Sequence, residues 1–155
     1  MYLVQANIAQ LKAPIDHAMM ADFVANIEPI NALADNSPGF IWRFQEDDDS
    51  AVINRLFEND LMIFNMSVWT NRTALIDYVY KTDHVKIMRR KNEWFLPMDK
   101  MHYVLWYIEK EKLPTPHDAK TRLMHYWHHG PSPYAFTFKD QFSIDNLIQY
   151  LTEHP

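Results

Sequence analysis

Residues 61–69 read LMIFNMSVW. Met62, Phe64, Met66 and Val68 alternate with Ile63, Asn65, Ser67 and Trp69, the period-two signature of a strand. Both sets carry large apolar side chains, so the strand is expected to be at least half buried on each face, with Asn65 and Ser67 as the polar interruptions. The same period organises three neighbours. Residues 2–11, YLVQANIAQL, place Tyr2, Val4, Ala6 and Ile8 on one side and Leu3, Gln5, Asn7 and Ala9 on the other. Residues 40–45, FIWRFQ, and 101–109, MHYVLWYIE, alternate likewise.

Between the strands the period changes to that of a helix. Asp16 is the expected cap of a first helix whose stripe of Met20, Phe23, Val24, Ile27, Leu33 and Ala34 ends before Asn36-Ser37-Pro38-Gly39. Pro29 removes a backbone donor inside it, which predicts a kink near Ile27 or two abutting helices. The acidic run EDDDS at 46–50 reads as a solvated turn. Asn71 caps a second helix carrying Ala74, Leu75, Tyr78 and Val79, and Asp83 is expected to cap a further piece, making that helix broken. Residues 114–130, PTPHDAKTRLMHYWHHG, hold a complete set of helix signals: Thr115 as N-cap, Pro116 at the first position, Asp118 three residues on and Gly130 past the end.

The order strand, helix, strand, strand, helix, strand predicts an α+β fold of ferredoxin-like βαββαβ type, with helices on one face of an antiparallel sheet and a C-terminal helical extension. A single domain is expected over 1–155, with a core of about 1–112 and an extension of about 113–155. The sheet's second face must then be covered, either by the tail after residue 130 or by the same sheet in a second copy, and a homodimer is the expectation. In the tail, Phe136, Phe138 and Phe142 followed by Leu147, Ile148 and Leu151 read as extended chain and a short amphipathic helix.

Composition excludes more than it proposes. The 155 residues are 48% apolar and 14% aromatic, enough for one packed core. No apolar run approaches the roughly 18 residues of a membrane span. The start MYLVQANIAQ has no basic region followed by an apolar one, so a cytoplasmic location is expected. Without cysteine there is no disulfide, cysteine zinc site, iron–sulfur cluster or thiol nucleophile. Gly39 and Gly130 are the only glycines, so phosphate-cradling and dinucleotide loops are missing too. A net charge of −5 argues against nucleic acid as a partner, and the basic run Lys86, Arg89, Arg90, Lys91 reads as mainly a solvated helix face.

Some side chains nevertheless carry chemistry. Asn65 and Ser67 share a strand face, and with Asn7 and Arg43 they would supply convergent donors and one cation to a small-molecule pocket; against a second subunit the same groups would be interface contacts. His84 reads either as a metal or haem ligand or as a helix-start histidine hydrogen-bonded near Asp83. Tyr78 and Trp94 are candidate binding aromatics, since a ring-rich chain suits a flat hydrophobic ligand, although packing explains the same rings. His125, His128 and His129 suggest zinc by spacing, yet without a third ligand they read better as last-turn histidines beside free helix carbonyls.

The segments NIAQLKAPIDHAMMADFVANIEPINALADNSPGFIWR, NMSVWTNRTALIDYVYKTDHVKIMRRKNEWF and RLMHYWHHGPSPYAFTF resemble a bacterial family of domains of unknown function in the dimeric α/β-barrel superfamily. That superfamily also holds antibiotic-biosynthesis-type monooxygenases, haem-degrading monooxygenases, chlorite dismutases and small stress-response barrels. The resemblance implies two subunits joined sheet to sheet, each with a cavity between sheet and helices. In the haem-degrading branch an asparagine on the first strand, a tryptophan ending the third and a histidine on the second helix form the site, roles that fall here on Asn7, Trp69 and His84. A carotenoid-oxidising haem family has a segment similar to SVWTNRTALIDYVYKTDHVKIMRR. The implied function is an oxygen-using monooxygenase acting on a flat hydrophobic or aromatic molecule, with haem on His84 or no cofactor. Asn7, Trp69 and His84 would be catalytic, and Arg43, Asn65, Ser67, Tyr78 and Trp94 would bind substrate. The alternative is a non-catalytic small-molecule-binding or stress-response barrel.

Overall fold

The computed structural model describes residues 1–45 and 50–155. Four strands, β1 (Tyr2–Gln10), β2 (Phe40–Arg43), β3 (Met62–Trp69) and β4 (Tyr103–Ile108), form one antiparallel sheet in the order β2-β3-β1-β4. The helices are α1 (Ala21–Asp35), α2 (Ser50–Phe57), α3 (Arg72–Lys81), α4 (His84–Arg89), α5 (Lys91–Trp94), α6 (Pro116–His129) and α7 (Ile144–Glu153). Among the described residues no helix is long and apolar enough to cross a membrane.

The alternation of β1 and β3 separates two differently packed faces. On the back face Val4, Ala6, Ile8, Phe64, Met66, Val68, Val104 and Trp106 are buried against Ile53 of α2 and Ala119 and Leu123 of α6. Each such side chain contributes roughly 1.5–3 kcal/mol by leaving water. On the front face Leu3, Trp69 and Leu105 pack with Ala34 of α1, Leu75 and Val79 of α3, and Phe136. Helices therefore cover both faces, which corrects the expectation of helices on one. The cover on the back is α2 and α6, joined by Tyr134 and Ala135 of the tail.

Several local readings change in detail. The first helix is capped by His17 and not Asp16: the His17 side chain accepts from the Met19 amide, opening a single 3₁₀ turn at Ala18–Met20 before α1. α1 runs unbroken through Pro29 rather than as two helices. Asp83 makes no side-chain cap; it pairs with Lys86 at 2.7 Å, and Thr82 accepts from the His84 amide in its place. The helix does break between α3 and α4. The capping box of α6 forms as read, Thr115 and Asp118 bonding each other's backbone, with Gly130 closing the end at φ 76°. α2 is an addition between β2 and β3. Of the acidic turn read at 46–50, residues 46–49 lie outside the described residues and Ser50 opens α2.

The tail lies against its own chain. Phe136 exchanges two backbone hydrogen bonds with Leu105 of β4, and Arg72 of α3 donates to the carbonyls of Phe138 and Asp140. At the other edge, Gly39 brings β2 against α3. Its φ is +82°, and an added Cβ would lie 2.5 Å from the Ala74 Cβ and 2.6 Å from the Thr70 hydroxyl. Gly39→Ala therefore lowers stability by roughly 1–3 kcal/mol, through overpacking and left-handed strain. A urea melt checks this, and an unchanged midpoint would contradict it.

Candidate functional site

Strand register assembles a polar band across the middle of the front face. Asn7 sits opposite Asn65, Gln5 opposite Ser67, Arg43 opposite Ser67 from the other side, and Tyr103 opposite Asn7. The Gln5 amide donates to the Asn7 side-chain oxygen at 3.1 Å. Apolar rows flank the band, Leu3 and Trp69 on one side, Ala9 and Ile63 on the other. Above it lies a cavity of about 550 Å³. Apolar walls with a few convergent polar groups are the usual makeup of a small-molecule site.

α1 is the roof. It rests mainly on β2, on the turn before it and on α4 rather than on β1 and β3, and lines the cavity with Phe23, Ile27 and Ile30 and with the amides of Asn26 and Asn31. Ionic contacts hold both ends. Asp35 takes Arg43 through two oxygens at 2.8 and 3.3 Å, while Asp22 takes Arg90 at 3.0 Å. Val24 and Ile27 stay partly exposed along its length.

The helix break positions the histidine. Where α3 ends, the Val79 carbonyl has no helical partner ahead of it, and the His84 ring supplies one, Nδ1 lying 3.2 Å away. A carbonyl only accepts, so Nδ1 carries the proton and Nε2 keeps its lone pair. Burial pushes the imidazole below its ordinary pKa, with the carbonyl bond opposing it in part. The ring packs 4.8 Å from Tyr78, which stacks on Trp69 at 5.0 Å. Tyr78 is pushed up to about 12, first by burial and then by the Asp35 charge, so it is a neutral donor whose hydroxyl faces the Ile30 carbonyl at 3.4 Å.

Asn7, Arg43, Asn65, Ser67, Tyr78 and His84 therefore meet around one cavity. Trp69 and Trp94 do not line it. Trp69 is fully buried one row beyond the band, its indole N–H given to Ser67 Oγ at 2.9 Å. Trp94 is buried with Leu11 and Met20, with the Arg90 guanidinium 4.7 Å over its ring. Both are corrected from pocket residues to supports. Arg43, read as the substrate-binding cation, is already paired with Asp35. Gln5, Tyr103, Lys91 and His102 are lining residues that sequence reasoning missed. Tyr103 was legible: it alternates with Val104 and pairs with Asn7.

His84 is the side chain that fits a cofactor iron, being neutral with Nε2 unprotonated. Among the described residues no three His, Asp or Glu side chains are grouped to hold a metal. His125 and His129 have ring centroids 4.8 Å apart, but His125 Nε2 is 3.1 Å from the Ser132 hydroxyl.

The family described as "Domain of unknown function (DUF3291)" matches residues 2–151. No curated protein matches the sequence. Among solved structures the chain is similar to SnoaB, a cofactor-independent oxygenase from Streptomyces nogalater, at 16% identity over 74% of this chain and 98% of that one, with a TM-score of 0.47. It is also similar to the NE2512 protein of unknown function from Nitrosomonas europaea, at 15% identity over 74% and 95% of the two chains, with a TM-score of 0.49. At these values the likenesses carry no argument about chemistry.

Two measurements follow from the geometry. Ser67→Ala strands the buried indole N–H of Trp69 and lowers stability by about 1–3 kcal/mol in a denaturant melt; no loss would mean the bond is idle. His84 titrates below 6.5 in a histidine-labelled NMR titration. Because its folded pKa lies below the unfolded value, its contribution is complete above pH 6.5 and is lost as the pH falls through the folded pKa. Protonation at or above 6.5 would contradict the burial argument.

Proposed function

The chain belongs to the DUF3291 family of domains of unknown function, and we propose that it is an oxygen-using monooxygenase acting on a flat, mainly apolar small molecule with an aromatic reactive part. One observation carries this reading: a neutral histidine with an unprotonated ring nitrogen and a band of uncharged amides share one apolar-walled cavity, and none of its described lining residues is acidic.

In this reading His84 Nε2 accepts a proton from an acidic O–H or C–H of the bound molecule, and the resulting electron-rich anion reduces oxygen directly. Amide N–H groups of Asn7 and Asn65 donate to charge developing on oxygen, and need little rearrangement because strand register fixes them. Where a ring methylene becomes a carbonyl, one oxygen atom enters the substrate and the other leaves as water, all four electrons coming from the substrate. Trp69 acts from behind, stacking Tyr78 against His84. If haem is the cofactor, His84 holds its iron and the haem supplies the oxygen activation.

The fold belongs to the same proposal: a ferredoxin-like domain over 1–155 with α2 as an insertion and residues from about 113 as an extension. The homodimer expected from the sequence belongs to it too, with α2 and α6 covering the back of the sheet within each chain. A non-catalytic binding protein is the second reading, favoured by the openness of the site: Asn65, at its centre, is solvent-exposed, whereas oxygen chemistry gains from excluding water.

Oxygen uptake with a dihydroxynaphthalene probe, in the presence and absence of one equivalent of haemin, separates these readings. The monooxygenase predicts uptake above the spontaneous rate that falls about 10²-fold or more in His84→Ala, the usual contribution of a positioned base. A Soret shift at one haemin per chain, abolished in that variant, assigns haem to His84. Probe binding without uptake leaves the binding protein, and no binding overturns both.

A further inference from the structure

Among its described lining residues the cavity has two cations, Arg43 and Lys91, and they are not equivalent. Arg43 stands on the edge strand β2, with both Nε and Nη2 committed to the Asp35 carboxylate at 2.8 and 3.3 Å. Any ligand anion that meets this guanidinium also meets Asp35, and the two charges largely cancel. What Arg43 still offers is the N–H pair of Nη1, a donor for a neutral oxygen.

Lys91 opens α5 on the other side of the cavity. It is exposed and makes no ion pair among the described residues. The nearby acids are taken: Glu93 and Asp22 both bind Arg90, at 2.7 and 3.0 Å. A second ammonium is held close by, Lys12 Nζ donating to the Asn92 carbonyl at 2.5 Å. His102 lines the same end, fixed at the start of β4 where its carbonyl accepts from the Ile8 amide at 2.8 Å. Desolvation and then the Lys91 charge hold its imidazole below its ordinary pKa. Lys91, Asn92 and His102 thus form a corner with donors and uncompensated positive charge.

We propose that this cavity is polarised along its length: it seats the anionic group of its ligand, a carboxylate or phenolate, at Lys91 and His102, and a neutral oxygen at Arg43. Arg43 on the edge strand β2 and His102 at the start of the opposite edge strand β4 are three strand spacings apart, about 14 Å, so a ligand touching both is elongated and lies across the strands. The inference rests on reading the cavity as a small-molecule site and is independent of oxygen chemistry.

The test compares 2-naphthoate, an anion at neutral pH, with 2-naphthol, its uncharged counterpart, by calorimetry at low salt. The wild-type chain binds naphthoate about fivefold more tightly, the order expected of one charge pair at a partly exposed site. Lys91→Gln abolishes that preference and leaves naphthol binding unchanged, while Lys91→Arg retains it. The double change Arg43→Gln with Asp35→Asn removes both charges together and weakens both probes alike. Naphthoate, and not naphthol, raises the His102 pKa in an NMR titration. The proposal is overturned if the probes bind equally, or if the Arg43 double variant, and not Lys91→Gln, removes the preference. Binding of neither probe overturns the small-molecule reading itself.

Discussion

The polar band across the front of the sheet is the constraint from which the rest of the site follows. Gln5, Asn7, Asn65 and Ser67 occupy the centre of a face whose other rows are apolar. A helix seated directly on them would strand several amide groups, at about 1–3 kcal/mol for each unsatisfied one. Ser67 spends its hydroxyl on Trp69, and Gln5 and Asn7 satisfy each other in part. The remainder need water or a ligand. α1 therefore bridges the band instead of packing on it, tied at its ends by Arg43 and Arg90. Its partly exposed Val24 and Ile27 are the cost of standing off.

The back face shows the converse. With Val4, Ala6 and Ile8 of β1 and the apolar side chains of β3 and β4 at its centre, it closes tightly under α2 and α6. Two faces of one sheet thus have opposite fates because residues of opposite parity along the same strands differ in polarity. The rigid back gives the front its precision: β1 and β3 cannot slip by one residue without turning Val4, Ala6 and Ile8 outward. Asn7 and Asn65 stay opposite each other for that reason.

This is also why so much could be read in the sequence, and where reading stopped. Alternation identified all four strands and put Asn7, Asn65 and Ser67 on their shared faces, while the signals at Thr115, Asp118 and Gly130 fixed the limits of α6. What alternation does not carry is position along the strand relative to a helix on another element. Trp69 has the same parity as Ser67, but it lies one row further, under α3, and so is core. Trp94 belongs to a one-turn helix with no periodicity to read. α2 is two turns long and follows an acidic run, so its stripe of Ile53 and Phe57 was lost in a presumed loop. The closure of the back face depends on α2 and α6 arriving together, a long-range fact that no local pattern encodes.

Electrostatics shows the same division between what a residue is and what its partner makes of it. In the sequence Arg43 is the natural anchor for an anionic ligand, being the one cation on a strand beside the polar face. In the fold it closes a bidentate pair with Asp35, eight residues away and exposed at the end of α1. That pair acts on the roof helix more than on any ligand, and it also bears on Tyr78, where the Asp35 charge raises the phenol and the Arg43 charge lowers it. Lys91, in a basic run that reads as solvated surface, is left facing the cavity because Arg90 beside it absorbs both Asp22 and Glu93. One arginine, by engaging two carboxylates, leaves its neighbour's charge uncompensated, and the polarity of the cavity follows from that local competition.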